Sequence, residues 1–214
     1  MDAEENILPQ FPLSLVAFPG EKLNLHIFED RYKQLVNDCW ANGTHFGIPP
    51  FHNGQLIFFG TEMKVVSMSK VYEDGKMDIK TEGVRVYQIH NFEKIHHPKL
   101  YAAASVSYLT DDEQSDPREI NKLLELLEKV FDLLNIDLPI SRFRDDFTSY
   151  KISHHVGLSM EEKIRLLTIR AESQRLKFIE NHLIKFIPAL EKAEELKERA
   201  SLNGHFKNLK SPEF

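Results

Sequence analysis

Two pairs of adjacent histidines, His96-His97 and His154-His155, are the residues best suited to metal chemistry in this chain. Imidazole is the commonest metal ligand in proteins, so the two pairs together could form one site. Adjacent side chains point to opposite faces of a strand and diverge on a helix, so a single pair seldom chelates an ion. The sequence therefore predicts no metal site and no cofactor.

The motifs of nucleotide hydrolysis and of hydrolytic catalysis are absent. A phosphate-binding loop reads G-x-x-x-x-G-K-[ST]. Here the Gly75-Lys76 pair is followed by Met77, and Lys70 stands where the first glycine of the loop belongs. Neither G-x-S-x-G nor H-E-x-x-H occurs in the chain. We therefore expect no catalytic residue and no enzymatic activity.

Composition and charge limit the cellular compartments and the kinds of partner that we expect for this chain. The chain has 27 basic and 33 acidic residues, a net charge of −6, whereas non-specific nucleic-acid binding requires clustered basic residues. Nucleic acid is therefore not an expected partner. Cys39 is the only cysteine, the start of the chain lacks a signal-peptide pattern, and no apolar run reaches the ~18 residues that cross a bilayer. These features predict a cytoplasmic protein without membrane contact.

Phenylalanines in predicted loops are candidates for a binding surface. Phe18 precedes Pro19, and Phe46 and Phe51 come shortly before an Asn-Gly turn. Apolar loop side chains rimmed by polar residues can mark a peptide-binding surface, although packing into the core is their more common fate. We take Phe18, Pro19, Phe46 and Phe51 as candidate peptide contacts.

Residues 7–110 are predicted to form a small β-barrel lobe with one helix. Short apolar or alternating runs are separated by turn signals such as Asn53-Gly54 and Asp74-Gly75. The helix is expected from about Glu29 to Ala41. Closing the strands into a barrel would remove exposed sheet edges.

Residues 116–202 are predicted to form a helical lobe, because the hydrophobic period changes after a polar break. Asp116 and Pro117 are typical of a helix start, and this helix should reach about Asn135. Three further helices are expected over about 144–155, 159–168 and 171–200, the second with a Ser159–Glu162 capping box. Residues 203–214 are expected to form a loose tail.

The opening segment, Phe11-Pro12-Leu13-Ser14-Leu15-Val16-Ala17-Phe18-Pro19-Gly20-Glu21, resembles the start of the Lon N-terminal domain. That domain is the substrate-binding module of the ATP-dependent Lon protease. The stretches Glu82-Gly83-Val84-Arg85-Val86 and 151–159 are also similar to the family. The resemblance implies an α+β fold, with a PUA-like β-barrel lobe followed by an all-helical lobe that ends in a long helix. Lon's ATPase and protease modules have no counterpart here, so their activities are not transferred.

Gly83 and Arg85 are the notable residues of the second matching stretch. A glycine within a strand predicts a β-bulge or a close approach of another backbone segment. The alternative, which we favour here, is that Gly83 only shapes the barrel. Arg85, two residues further on, is expected on the same face of the strand. We include Arg85 among the candidate peptide contacts.

The resemblance implies a non-catalytic module that binds exposed apolar segments of unfolded or damaged proteins, acting with a protease or chaperone. One alternative is an adaptor or self-association module, in which an apolar stripe over residues 176–193 contacts a partner helix. Packing within the protein's own bundle is the reading we favour for the first half of that stripe. A third possibility is RNA binding by a PUA-like fold, which the acidic charge balance disfavours.

Overall fold

The computed structural model describes residues 6–112 and 114–206, and these residues group into two compact units. Unit 1 comprises the described residues up to 112 together with 158–172. Unit 2 comprises 114–157 and the described residues from 173 onward. Residues 158–172, expected from sequence in the helical lobe, thus group with the strands. Backbone hydrogen bonds from Asp112 N to Arg170 O (3.2 Å) and from Glu172 N to Asp112 O (2.8 Å) hold them there.

Unit 1 consists of a closed sheet with two helices. Its described strands are β1 (Asn6–Gln10), β2 (Lys22–Ile27), β3 (Phe46–Ile48), β4 (Phe51–His52), β5 (Gln55–Leu56), β6 (Phe59–Val71), β7 (Met77–Glu93) and β8 (Ala102–Tyr108). The main sheet has the order β2-β7-β6-β3-β1-β8, and β8 also pairs with β7. This second pairing closes β7, β6, β3, β1 and β8 into a ring, which confirms the predicted small barrel.

The interior of this ring is organised around Tyr87. Its ring is fully buried, and its hydroxyl donates to Gln10 Oε1 at 2.7 Å. A Cβ atom on Gly47 or Gly60 would overlap the Tyr87 phenol. Tyr87 of β7 therefore contacts β1, β3 and β6, and it occupies the space that the glycines leave open.

A second core lies between the outer face of the sheet and α1 (Asp30–Asn42). The helix buries Tyr32, Leu35, Val36 and Cys39. It ends at Gly43, whose φ of 63° is readily adopted by glycine. The observed bounds confirm the helix expected from about Glu29 to Ala41. The other helix of unit 1, α4 (Met160–Thr168), begins with the predicted capping box between Ser159 and Glu162.

Unit 2 is helical. Its elements are α2 (Pro117–Leu134), a 3₁₀ helix (Ile140–Phe143), α3 (Ser149–Ile152) and most of α5 (Glu172–Phe206). The Asp116 side chain accepts a hydrogen bond from Arg118 N at 2.8 Å, as expected for the start of α2. The helix predicted over 144–155 is wrong: Asp146 has a φ of 51°, which interrupts helical geometry, and a new short helix starts after Thr148.

The apolar stripe of α5 is buried for its first half. Leu176, Ile179, Leu183 and Ile187 lie in the core, whereas the residues from Glu191 to Lys197 are exposed apart from Glu194. An adaptor role would therefore lack most of the proposed contact surface. The helix extends to Phe206, past its predicted end at about residue 200. It includes Gly204, and a glycine inside a helix costs only about 1 kcal/mol relative to alanine. Residues 207–214 of the expected tail lie outside the described residues.

The length of α5 does not make it a membrane span. Across 6–112 and 114–206, no helix combines the length and the apolar character that crossing a bilayer requires.

His155 makes the stability of unit 2 depend on pH. Its ring centroid lies 6.0 Å from that of Phe131 and 5.2 Å from that of Phe143. Burial lowers the pKa of His155 below its ordinary value of 6.5, and the charges of His154 and Arg142 lower it further. The unfolded state then binds a proton more readily than the folded state, so stability falls as the pH drops through about 6.5.

We expect His155→Phe to reduce this loss of stability. The urea midpoint, followed by far-UV circular dichroism, should fall less between about pH 7.5 and 5.5 than in the wild type. An equal fall in both proteins would show that His155 does not titrate between the two states.

Candidate functional site

Phe18 and Phe46, two of the residues predicted to contact peptides, are completely buried. Phe46 belongs to the core beneath α1, together with Ile48 and Met63. Neither side chain presents surface to a partner in this fold. Their burial reflects the general tendency of large apolar side chains to pack inward even when the sequence around them looks like a loop.

Pro19 is half-buried and belongs to a segment that lies against Gly83 of β7. Gly20 N donates to Gly83 O at 2.9 Å, and Gly83 N donates to Glu21 O at 2.8 Å. A Cβ on Gly83 would overlap the carbonyl oxygen of Phe18. The pairing of β6 with β7 also skips Val84. The close backbone approach expected at Gly83 and the expected bulge, next to it at Val84, are both present.

The bulge changes where Arg85 points. Strict alternation would place Gly83 and Arg85 on one face, but Gly83 is buried while Val84 and Arg85 are both exposed. The extra residue at Val84 shifts the alternation by one position. The expectation that Arg85 shares a face with Gly83 is therefore wrong.

Phe51 lies on a tight hairpin formed by β4 and β5. The turn residues Asn53 and Gly54 have φ values of 50° and 76°, which is typical of a type I′ turn. Ile57 N donates to Pro50 O at 2.9 Å and closes the base of the hairpin. Phe51 is 43% exposed and Phe58, just after the hairpin, is 53% exposed. We call these two phenyl groups the hairpin surface.

The hairpin is braced against the rest of unit 1. Phe51 N donates to Leu13 O at 2.8 Å, and Ile89 N donates to Phe58 O at 2.9 Å. His52 Nε2 lies 2.7 Å from Glu161 Oε1, in the first turn of α4. The hydrogen bond with His52 lowers the pKa of Glu161. Two half-exposed aromatic side chains are thus held on a fixed backbone.

Arg85 belongs to a different group, which we call the Glu62 cluster: His45, Glu62, Arg85 and Tyr108. Glu62 is only 3% exposed. Arg85 Nε donates to Glu62 Oε2 at 2.6 Å, and Tyr108 donates to Glu62 Oε1 at 3.2 Å. His45 Nδ1 lies 3.1 Å from the same Oε1 atom. The guanidinium carbon of Arg85 lies 3.4 Å from the centre of the Tyr108 ring.

The charges of the cluster are fixed by these contacts. Partial burial lowers the pKa of Arg85, but the hydrogen bond and negative charge of Glu62 outweigh it, so the pKa is raised overall. Burial raises the pKa of Tyr108, and the charge of Glu62 raises it further. Arg85 is therefore a permanent cation and Tyr108 a neutral hydroxyl at neutral pH.

The described residues hold no metal-ligand cluster, and the Cys39 thiol is not activated. No group of three or more potential ligands among His, Cys, Asp and Glu is found in them. Of the histidines considered above, His96 pairs with Glu93 at 2.9 Å and His155 packs on phenylalanines. Burial raises the pKa of the Cys39 thiol to about 11, so it stays protonated.

Residues 7–185 match the family described as the ATP-dependent protease La (LON) substrate-binding domain. The chain belongs to this family. The match covers most of the sequence, and no catalytic domain family is found over the chain. No curated protein sequence matches the chain significantly.

Solved structures of Lon N-terminal domains share this fold. A Lon N-terminal domain protein from Xanthomonas campestris has 25% sequence identity and a TM-score of 0.63, covering 80% of this chain and 95% of its own. The N-terminal domain of Lon protease from the Mycobacterium avium complex has 15% identity and a TM-score of 0.63, covering 83% of this chain and 98% of its own. The predicted α+β architecture is confirmed.

Four residues of the hairpin surface and the Glu62 cluster in this Lon substrate-binding domain were not anticipated from the sequence: His45, Phe58, Glu62 and Tyr108. Leu56 to Phe59 is apolar throughout, so no alternation singles out Phe58. Glu62 lies in a strand where Thr61 and Met63 are buried as well, so the usual rule of polar outward and apolar inward fails. The cross-strand pairing of Glu62 with Arg85 is the missing signal, and it depends on the sheet register.

Proposed function

We propose that this chain binds exposed apolar segments of unfolded or damaged proteins, and that the hairpin surface supplies the principal contact. The observation that supports this most is the exposure of Phe51 and Phe58 on a backbone that is hydrogen-bonded on both sides. Membership of a substrate-binding domain family supports the general role. Transfer of the bound segment to a protease or chaperone, in the cytoplasm, belongs to the same proposal.

Burial of the two phenyl groups can supply useful affinity. A phenylalanine that is half exposed offers about 100 Å² of surface, which at roughly 25 cal/mol per Å² corresponds to about 2.5 kcal/mol when covered. Because the hairpin is already ordered, little conformational entropy is lost on its side of the contact.

The strand β5 offers backbone groups next to these side chains. Among the described residues, β5 pairs with β4 alone, so its other edge takes part in no strand pairing. An extended segment pairing with Gln55–Leu56 would place alternate side chains towards Phe51 and Phe58. The backbone pairing is independent of sequence, which suits a module that accepts many unfolded chains.

The double variant Phe51→Ala/Phe58→Ala should bind unfolded chains at least about tenfold more weakly than the wild type. Fluorescence anisotropy with labelled, reduced and carboxamidomethylated α-lactalbumin measures the affinity. Phe28→Ala is the matched control, because Phe28 is 58% exposed at the end of β2, where it stacks on His26. The control should bind as the wild type does.

The proposal is contradicted if the folded double variant keeps wild-type affinity, or if Phe28→Ala loses as much affinity as the double variant. Absence of binding by the wild-type protein would also overturn it.

A further inference from the structure

Arg85 is held in one orientation by a buried carboxylate and an aromatic ring. Its Nε group is hydrogen-bonded to Glu62, and its guanidinium stacks on Tyr108. The Arg85 side chain is nevertheless 50% exposed, while that of Glu62 is 5% exposed. These contacts hold the Arg85 side chain in place before any ligand binds. The entropy cost of ordering this side chain, which normally opposes ligand binding, is therefore already met in the folded protein.

Both carboxylate oxygens of the buried Glu62 side chain have partners within the protein. One carboxylate oxygen interacts with His45 and Tyr108, and the other accepts from Arg85. A buried carboxylate needs such hydrogen bonds to be tolerated. Arg85 has five N–H donors, and Glu62 occupies the Nε donor, so the guanidinium retains donors for a second acceptor.

A cavity of 270 Å³ adjoins the cluster at His45. Trp40, which is 48% exposed, and Val65 form apolar walls. Lys64 also lines the cavity and pairs with Glu82 at 3.3 Å. The volume lies below the range of typical drug-sized sites and suits a single side chain.

Arg85 does not line the cavity itself, but His45, which does, contacts the same Glu62 carboxylate as Arg85. We propose that Arg85 and this neighbouring cavity form a second binding site, which recognises a carboxylate next to an apolar side chain in a polypeptide. The fork of the guanidinium matches the two oxygens of a carboxylate, and the Trp40 and Val65 walls match the apolar neighbour. Lys64 at the cavity is ion-paired with Glu82, so the guanidinium of Arg85 is the group assigned to the carboxylate. This inference rests on the proposed function, because its ligand is also a polypeptide. It adds a preference for segments that carry a negatively charged carboxylate.

The test uses short fluorescein-labelled peptides of glycine and serine with one leucine near the carboxyl end. One pair differs only in a free C-terminal acid or an amide. A second pair, both amides, has Asp or Asn beside the leucine. We expect the wild-type protein to bind the acid, the Asp peptide or both about tenfold more tightly than the neutral partner. Whichever pair shows the preference identifies the source of the carboxylate.

Arg85→Gln should abolish the preference. Arg85→Lys keeps a positive charge beside Glu62 and therefore the fold, yet it should lose most of the preference because lysine lacks the planar fork. Arg31→Gln is the matched control: Arg31 also stacks on a tyrosine, Tyr32, at 4.4 Å, and pairs with an exposed carboxylate, Glu29. It should behave as the wild type.

The outcomes separate the two proposals. Equal wild-type binding of the acid and neutral peptides, with unfolded α-lactalbumin still bound, overturns this inference and leaves the proposed function standing. Binding of none of these ligands overturns both. A preference that survives in both Arg85 variants shows that another residue recognises the carboxylate. Phe51→Ala/Phe58→Ala should retain the preference, because the hairpin surface is not part of this site.

Discussion

Gly83→Ala is expected to destabilise unit 1 by about 3 kcal/mol or more, at the upper end of what overpacking of a core costs. The added methyl group would overlap the carbonyl oxygen of Phe18 and lie 3.0 Å from its carbonyl carbon and 3.2 Å from Pro19 Cα. These are backbone atoms, so no side-chain rotation relieves the overlap. The segment also cannot withdraw without losing the two hydrogen bonds that join Gly83 to Gly20 and Glu21.

The measurement is urea unfolding followed by the fluorescence of Trp40, the only tryptophan, which lies in α1 of unit 1. Gly43→Ala is the control. Gly43 has a φ of 63° and open space around it, so alanine there should cost only about 1 kcal/mol of conformational strain. Equal stability losses in the two variants would show that the approach of Phe18 to Gly83 is not a tight contact.

Phe18→Ala is expected to lower the free energy of unfolding by about 3–5 kcal/mol. The side chain is completely buried, so its removal loses the transfer free energy of the ring and leaves a cavity. Its neighbour in sequence, Pro19, is part of the contact with Gly83, and the backbone there is fixed. The surrounding structure therefore has little freedom to collapse into the space.

Phe51→Ala provides the comparison, since its side chain is 43% exposed and its loss should cost well under half as much stability. The same urea experiment on the two variants separates a core role from a surface role. The contradicting result is a Phe18→Ala protein that keeps wild-type stability but no longer binds unfolded chains. Phe18 would then contact the ligand directly, against its burial in the core.

Local signals in the sequence were sufficient for the helix boundaries that depend on capping. Asp116 and the Ser159–Glu162 box make the expected hydrogen bonds, and both helices begin where these residues place them. The Asp74-Gly75 turn likewise lies between β6 and β7. These features depend on residues a few positions apart, so no knowledge of the tertiary structure was needed.

The candidate site depended on contacts between distant residues, and there the sequence was a weaker guide. Phe46 and Phe51 are five positions apart and both looked like loop aromatics, yet Phe46 lies in a core strand and Phe51 on an exposed hairpin. Only the pairing of β3 with β6 and β1 distinguishes them. The position of Arg85 was similarly altered by a bulge at Val84, because one extra residue reverses which face a side chain occupies.

The most direct test of the central claim is photocrosslinking from the hairpin surface. Benzoylphenylalanine would replace Phe51 or Phe58, with replacement of Phe28 as the reference position of similar exposure. After irradiation with unfolded α-lactalbumin, we predict strong crosslinks from positions 51 and 58 and only background from position 28. Crosslinks of equal yield from all three positions, or from position 28 alone, would contradict the assignment of the hairpin surface as the principal contact.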